Sequence, residues 1–65
     1  MPAVNSSAIS QVEYDAATST LSVWFTSGKQ YDYPGVPATL YQQLLSAPSV
    51  GQFFNAHIRD QYSVA

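Results

Sequence analysis

Residues 20–26 read Thr20-Leu21-Ser22-Val23-Trp24-Phe25-Thr26, and this stretch decides the fold class. Its β-branched and aromatic side chains recur with a period of two, which is typical of a β-strand with one buried face. The segment Ser27-Gly28-Lys29 follows, and the next run, Gln30-Tyr31-Asp32-Tyr33, has the same alternation. We therefore predict a β-hairpin at the centre of the fold.

The length of the hairpin loop determines which side chains share a face. A two-residue loop would pair Trp24 with Tyr31, whereas a three-residue loop, with Gly28 in the left-handed region, would pair Phe25 with Tyr31. We predict the three-residue loop because it gathers the apolar residues of both strands on one face. These residues are Leu21, Val23, Phe25, Tyr31 and Tyr33. Trp24 then points to the opposite face.

The residues before the hairpin predict a first strand, from Ser6 to Tyr14. Ile9 is out of phase with Val12 and Tyr14 in the period-two pattern. We therefore expect a bulge or a late start near Ser10, since one extra residue restores the alternation.

Two short helices are predicted after the hairpin. Pro37 suits the first position of a helix, and Pro48 ends that helix. Its apolar stripe is Leu40, Tyr41, Leu44 and Leu45. Ser49, with Gln52 three residues later, is a capping-box pattern that begins the second helix. The inner side of that helix is predicted to be Val50, Phe53, Phe54, His57 and Ile58. The predicted fold class is α+β: a three-stranded antiparallel β-meander followed by two short helices packed on one sheet face.

The composition indicates one small domain, residues 1–65, with a core of about 6–62. A chain of 65 residues buries only roughly 60% of the surface that its unfolded form exposes. It contains no cysteine, so neither a disulfide nor a thiolate metal site can supplement the core. Nine aromatic residues accompany only six charged ones. Because a monomer usually carries more surface charge, we predict a homo-oligomer with Trp24 at the interface.

Charge and hydropathy restrict the classes of function. The net charge of −2 argues against tight binding of bare duplex nucleic acid, which depends on several phosphate contacts from Lys or Arg. No apolar run approaches the ~20 residues that span a bilayer. The stretch Met1-Pro2-Ala3-Val4-Asn5 has neither the basic segment nor the apolar core of a signal peptide. We expect a soluble cytoplasmic protein with no membrane partner.

The order of short motifs resembles a known family. In the first part of the chain the motifs are Ser6-Ser7-Ala8-Ile9, Val12-Glu13-Tyr14-Asp15, Thr20-Leu21, Gly28 before Tyr31-x-Tyr33, and Val36-Pro37. The closing motif is Ser49-x-Gly51-x-x-Phe54-Asn55-x-x-Ile58-Arg59-x-x-Tyr62. Together they resemble the KTSC domain, which is named after the C-terminus of some lysyl-tRNA synthetases and also occurs as free-standing proteins of bacteria and their phages. The resemblance implies a role in RNA binding.

Arg59 and Asn55 are candidate ligand-binding residues. The guanidinium of Arg59 is a planar five-donor fork that suits a carboxylate or a phosphate. Asn55 lies four residues earlier and therefore on the same helix face. Two hypotheses remain open: Arg59 clamps an anionic ligand, or it braces the fold by pairing with the chain termini or with a carboxylate such as Asp60 or Glu13. We favour the brace, because two cations in 65 residues must first serve the fold.

Three tyrosines complete the candidate ligand-binding set. Tyr31 and Tyr33 could stack on bases, as aromatic residues do on the sheets of RNA-recognition modules. The same i, i+2 spacing is expected of residues buried in a strand, and we favour a core role with the hydroxyls at the rim. Tyr62 is the last residue of the closing motif.

No residue pattern predicts catalysis. His57 is the only imidazole, and no local spacing supplies it with a nucleophile or an orienting carboxylate. A metal site is not expected, since there is no second His and no Cys. Ser6 and Ser7 lack the context of a nucleophile and are expected to establish the start of the first strand. We predict no catalytic residues, no metal and no cofactor.

Two functions are carried forward from the sequence. The first is a self-associating, non-enzymatic module that binds a phosphate-bearing ligand, such as a nucleotide or an RNA end. The second is a protein–protein adaptor or inhibitor, possibly phage-borne and acting on a host complex. The pair of Arg59 and Asn55 favours the first, and the low positive charge favours the second.

Overall fold

Three strands and two helices make up the fold. The computed structural model describes residues 8–64. Strands β1 (Ile9–Asp15), β2 (Thr20–Phe25) and β3 (Gln30–Tyr33) form one antiparallel sheet in the order β1-β2-β3. Helices α1 (Ala38–Ser46) and α2 (Val50–His57) follow. The predicted α+β architecture is confirmed.

A bulge interrupts the pairing of β1 with β2 at Ser10. Ile9 lies opposite Phe25 and Gln11 lies opposite Trp24, so Ser10 is the extra residue. The Ser10 hydroxyl donates a hydrogen bond of 3.1 Å to the carbonyl of Trp24. The bulge returns Ile9 to the buried face, as its phase in the sequence predicted. Ser6 and Ser7, which were expected to establish the start of this strand, lie outside the described residues.

The hairpin loop has the predicted length, but the predicted register is wrong. The amide of Phe25 donates to the carbonyl of Lys29 at 2.8 Å, which leaves three residues in the loop. Gly28 has a φ of 94°, the left-handed conformation expected of it. Tyr31 is opposite Val23, however, and not opposite Phe25. The error is two residues, and because side chains alternate with a period of two, the predicted faces are nevertheless correct.

A single core lies between the sheet and the helices. Ten apolar side chains are buried: Ile9, Val12, Leu21, Val23, Tyr33, Val36, Leu44, Val50, Phe54 and Ile58. Half of them come from the three strands, one comes from α1, and three come from α2 and its C-cap. Burial of Tyr33, which is only 3% exposed, confirms the core role favoured for this residue.

Val36 ties the connection between sheet and helices to the first hairpin. Its amide donates to the carbonyl of Ser19 at 2.9 Å, and its carbonyl accepts a 2.6 Å bond from the Tyr14 hydroxyl. The Tyr14 ring stacks on Tyr41 of α1, with ring centroids 5.0 Å apart. Burial, followed by the nearby charge of Glu13, raises the pKa of Tyr41. This set of contacts holds α1 against β1.

The helix boundaries agree closely with the sequence patterns. Pro37 is the N-cap of α1 and not its first residue, a shift of one position. Its carbonyl still accepts from the amides of Leu40 and Tyr41, at 3.0 and 3.2 Å. Ser49 caps α2 by accepting from the amide of Gln52 at 3.3 Å, which confirms the predicted start of this helix.

Two residues predicted to face the core are exposed. Leu45 is 40% exposed, because α1 contacts the core through Leu44 with Leu40 and Tyr41 beside it. His57 is also exposed, and its ring centroid lies 4.4 Å from that of Phe53. In α2 the buried row is Val50, Phe54 and Ile58, spaced four residues apart. A row this narrow leaves His57 outside the core.

Trp24 lies on the face of the sheet opposite the core, as predicted, but it is not fully exposed. Gln11 on β1 and Gln30 on β3 are its cross-strand neighbours. Trp24 is half-buried between these long side chains. Side chains of neighbouring strands lie close enough to cover part of the indole.

We expect Tyr33→Ala to lower the free energy of unfolding by about 3 kcal/mol or more, because it removes a buried ring from the core. Chemical denaturation measures this change. Tyr33→Phe is the matched control, since it keeps the ring and should unfold nearly as the wild type does. Retention of wild-type stability by Tyr33→Ala would contradict the core role.

Tyr14→Phe should cost about 1 kcal/mol, because it removes the hydrogen bond to the carbonyl of Val36 and leaves the stacked ring in place. The control is Tyr31→Phe, whose hydroxyl makes no hydrogen bond to any residue in the range 8–64. Equal unfolding free energies for the two variants would show that the bond to Val36 does not anchor the connection.

Candidate functional site

A cleft opens between the end of the central hairpin and helix α2. Its volume is about 320 Å³. Ala8, the residue before strand β1, lies at the cleft. Its carbonyl accepts a 2.9 Å hydrogen bond from the amide of Thr26. The lining residues are Ala8, Phe25, Tyr31, Tyr33, Phe54, Asn55 and Arg59.

Aromatic rings packed edge to face form the apolar part of the cleft. Phe25 contacts Tyr31 at 5.5 Å and Phe54 at 5.6 Å between ring centroids. Phe54 also contacts Tyr33 at 5.5 Å, and the rings of each pair are inclined by 66–71°. These are favourable orientations for aromatic pairs. Tyr31 is only half-buried, so it is the tyrosine with ring surface left for a ligand.

Arg59 is positioned by the end of α2. Its amide donates to the carbonyl of Phe54 at 2.9 Å, and the amide of Ile58 donates to the same carbonyl at 2.9 Å. Asn55 follows Phe54 in the helix, whereas Arg59 lies beyond the C-cap Ile58, so the prediction that both share a helix face is wrong. Both side chains are exposed. The residues described, 8–64, include no carboxylate that forms an ion pair with Arg59. The brace to Asp60 or Glu13 is therefore not formed, and the chain termini named as the other brace lie outside the described residues.

The electrostatics of the cleft favour hydrogen-bond donors. Burial raises the pKa of Tyr33, the neighbouring Tyr31 raises it further, and the charge of Arg59 acts in the opposite direction. Tyrosine phenols are protonated at neutral pH even without such a shift, and a protonated phenol can donate a hydrogen bond. A guanidinium, an amide and tyrosine hydroxyls thus share one cleft, and this combination of donors suits an anion.

The structure brings together four of the five predicted ligand-binding residues. Tyr31, Tyr33, Asn55 and Arg59 all line the cleft. Tyr62 does not line it: this residue is half-buried and packs against the core, and its amide donates to the carbonyl of Ile58 at 3.1 Å. Its place in the closing motif therefore reflects packing of the C-terminal turn.

Three lining residues were not predicted as site residues. Phe25 and Phe54 were assigned only to the core, and Ala8 only to the first strand. Their alternation and spacing signal burial, and no local signal in the sequence shows that a core residue also borders a cleft. Ala8 reaches the site because the bulge at Ser10 and the bond to Thr26 bring the start of β1 to the end of the hairpin.

Within residues 8–64, no group of three His, Asp or Glu side chains could hold a metal ion. None of the helices in this part of the chain is long and apolar enough to cross a membrane.

Comparisons with known proteins identify the family. The family model of the KTSC domain matches residues 5–62. Lysine–tRNA ligases of Trichormus variabilis and Nostoc punctiforme are 39% and 41% identical over 54 and 56 residues, which is 83% and 86% of this chain. The matched region is only 10% of either ligase, so the chain spans about a tenth of the length of these relatives.

Shorter relatives match along nearly their whole length. A protein of Tsukamurella paurometabola is 39% identical over 62 residues, which covers 95% of this chain and 92% of that protein. The crystal structure of a KTSC domain protein from Yersinia pestis superimposes with a TM-score of 0.94 at 33% identity, and the match covers 98% of this chain and 90% of the other. The chain belongs to the KTSC domain family.

Proposed function

We propose that this chain is a small, non-enzymatic binding module that holds a phosphate-bearing ligand, such as a nucleotide or an RNA end, in the cleft between the hairpin and α2. The observation that carries the proposal is the position of Arg59. The guanidinium borders an aromatic cleft together with Asn55, and it has no ion-pair partner in the range 8–64. Within residues 8–64, therefore, no carboxylate competes with a ligand for this guanidinium.

The donors of the cleft match the chemistry of a phosphate. A guanidinium can bind two phosphate oxygens at once through parallel N–H bonds. The Asn55 amide and the tyrosine hydroxyls add neutral donors.

The aromatic part of the cleft suits a nucleoside. A volume of about 320 Å³ is at the lower end of the range for small-molecule sites, which begins near 300 Å³. Tyr31 is the residue on which a base would pack, since Tyr33 is buried by Phe54 and the rest of the core. Base–aromatic stacking contributes about 1–3 kcal/mol per base without requiring a particular sequence.

The relatives are consistent with a nucleic acid ligand. Two of them are named as lysine–tRNA ligases, and the matched region forms about a tenth of each. A domain attached to a protein that acts on tRNA is a reasonable carrier of an RNA-end site. We also propose that the protein is located in the cytoplasm of a bacterium or of a phage-infected cell.

The low charge of the chain favours a second candidate, a protein–protein adaptor or inhibitor that could be phage-borne. Only two Lys or Arg residues are present in 65, which is few for a dedicated RNA-binding protein. Absorbance and mass spectrometry of natively purified protein distinguish the candidates. A bound chromophore at 260 nm supports the first, whereas a stoichiometric protein partner with no nucleotide supports the second.

Self-association through the open face of the sheet is part of the proposal. Trp24 supplies apolar surface there, while Glu13 and Asp32 lie on the same face around Ser22 and would repel a second copy. We expect light scattering at high protein concentration to give more than one chain, and we expect added salt to strengthen the association by screening the carboxylates. Trp24→Ala should shift the protein toward monomer. A wild-type monomer at all concentrations would contradict this part of the proposal.

Arg59→Lys tests the cleft directly. The lysine keeps the charge but loses the bidentate fork, so binding of adenosine monophosphate should weaken by about 1–3 kcal/mol. The melting temperature should stay close to that of the wild type, because Arg59 has no ion-pair partner in the described chain to lose. Titration calorimetry and thermal melting on the same sample measure both quantities.

Two outcomes would contradict the proposed site. Unphosphorylated adenosine is the ligand control, and it should bind wild type and Arg59→Lys equally. If the variant melts at a lower temperature and loses affinity only in proportion to unfolding, Arg59 is a structural brace. If adenosine monophosphate binds the variant as tightly as it binds the wild type, the phosphate does not lie at Arg59.

A further inference from the structure

Lys29, which was assigned no role in the sequence, lies on the same face as the cleft. Its carbonyl accepts the 2.8 Å hydrogen bond from Phe25, which places Lys29 beside Phe25 immediately before β3 begins at Gln30. Lys29 and Tyr31 are two residues apart on this extended segment, and side chains two apart point to the same face. Tyr31 lines the cleft and Lys29 is exposed. Lys29 therefore lies beyond Tyr31, next to the loop that joins β2 to β3.

The charges of the molecule are segregated by the sheet. Lys29 and Arg59 are the only Lys or Arg residues of the chain. Arg59 lines the cleft, and the alternation of side chains puts Lys29 on the same side as Tyr31, which also lines it. Glu13 and Asp32 are the cross-strand neighbours of Ser22, which places them on the opposite face. An anionic ligand in the cleft would thus meet both cations and be shielded from these two carboxylates by the sheet.

The two remaining carboxylates do not neutralise the cations. Asp15 ends β1, at the end of the sheet away from Lys29, and it accepts a 3.0 Å hydrogen bond from the amide of Ala17. Asp60 follows Arg59 directly but forms no ion pair with it within the described residues. No carboxylate side chain within residues 8–64 consequently forms an ion pair with either cation.

We infer that the ligand is the phosphorylated end of a single-stranded oligonucleotide, with its terminal phosphate at Arg59, its first base on Tyr31 and its next phosphate at Lys29. The inference rests on the proposed function and deepens it by naming the ligand class. The order of the three residues supports it, since Tyr31 lies between the two cations. Lys29 is about 7 Å along the strand from Tyr31, and its flexible stem adds reach.

The test compares three ligands that differ in the number and spacing of phosphates. These are adenosine monophosphate, adenosine diphosphate and the 5′-phosphorylated dinucleotide pApA. Lys29→Gln should weaken pApA about fivefold to tenfold at low salt and leave the two mononucleotides unchanged. Arg59→Gln should weaken all three ligands, because each of them carries a terminal phosphate.

Salt dependence supplies a second readout. On a single strand each phosphate contact contributes about −0.7 to the slope of log affinity against log salt. The slope for pApA should be about −1.4 with the wild type and about −0.7 with Lys29→Gln. Lys29→Arg should restore the wild-type slope, since it restores the positive charge.

A matched variant controls for net charge. Gln43→Glu makes the same change of −1 on an exposed position of α1, a helix that contributes no residue to the cleft. It should bind all three ligands as the wild type does. If Gln43→Glu weakens pApA as much as Lys29→Gln does, Lys29 acts only through net charge and the inference is overturned.

The remaining outcomes separate the inference from the proposed function. If Lys29→Gln leaves pApA unchanged while Arg59→Gln weakens every ligand, the inference fails and the phosphate site at Arg59 stands. If Lys29→Gln weakens adenosine diphosphate as much as pApA, the two cations bind adjacent phosphates and the oligonucleotide class is wrong. If the wild type binds none of the three ligands at low salt, the proposed function and the inference fail together.

Discussion

The ring and the carbonyl of Phe54 hold the structure and its candidate site together. The ring contacts Phe25 and Tyr33 edge to face, which fastens α2 to the sheet. The carbonyl of Phe54 accepts hydrogen bonds from the amides of both Ile58 and Arg59. These bonds end the helix and position the backbone of Arg59. In a domain with ten buried apolar side chains, one residue therefore links core packing to the placement of the cation.

The same tyrosines contribute to the fold and to the site through different atoms. The ring of Tyr33 is in the core, while Tyr33 as a whole still borders the cleft beside Arg59. Burial raises the pKa of its phenol, so the group that stabilises the core is also a neutral donor. Tyr31, which is half-buried, keeps ring surface for a ligand. A small domain has too few residues to keep packing and recognition apart.

The chain has only six charged residues, so the position of each one strongly affects the charge distribution over the surface. The sheet separates Glu13 and Asp32 from the side that carries Lys29 and Arg59. Such an arrangement concentrates the positive charge of a molecule of net charge −2 on one side of the sheet. Net charge alone, which argues against binding of duplex nucleic acid, does not describe this face.

The sequence by itself determined the strands, the buried face of each strand, the bulge at Ser10 and the starts of both helices, because these depend on side-chain periodicity and local hydrogen bonding. It also named Arg59 and Asn55 as a pair, but on the assumption of a shared helix face, which is wrong because α2 ends at His57. Only the tertiary structure decided the hairpin register, because a shift of two residues leaves every side chain on the same face. Only the tertiary structure brought Arg59 to Tyr31, 28 positions away in the sequence, and left it without a carboxylate partner in residues 8–64. Local sequence patterns specify the face to which a side chain points. The residues that it contacts across the cleft depend on the packing of α2 against the sheet.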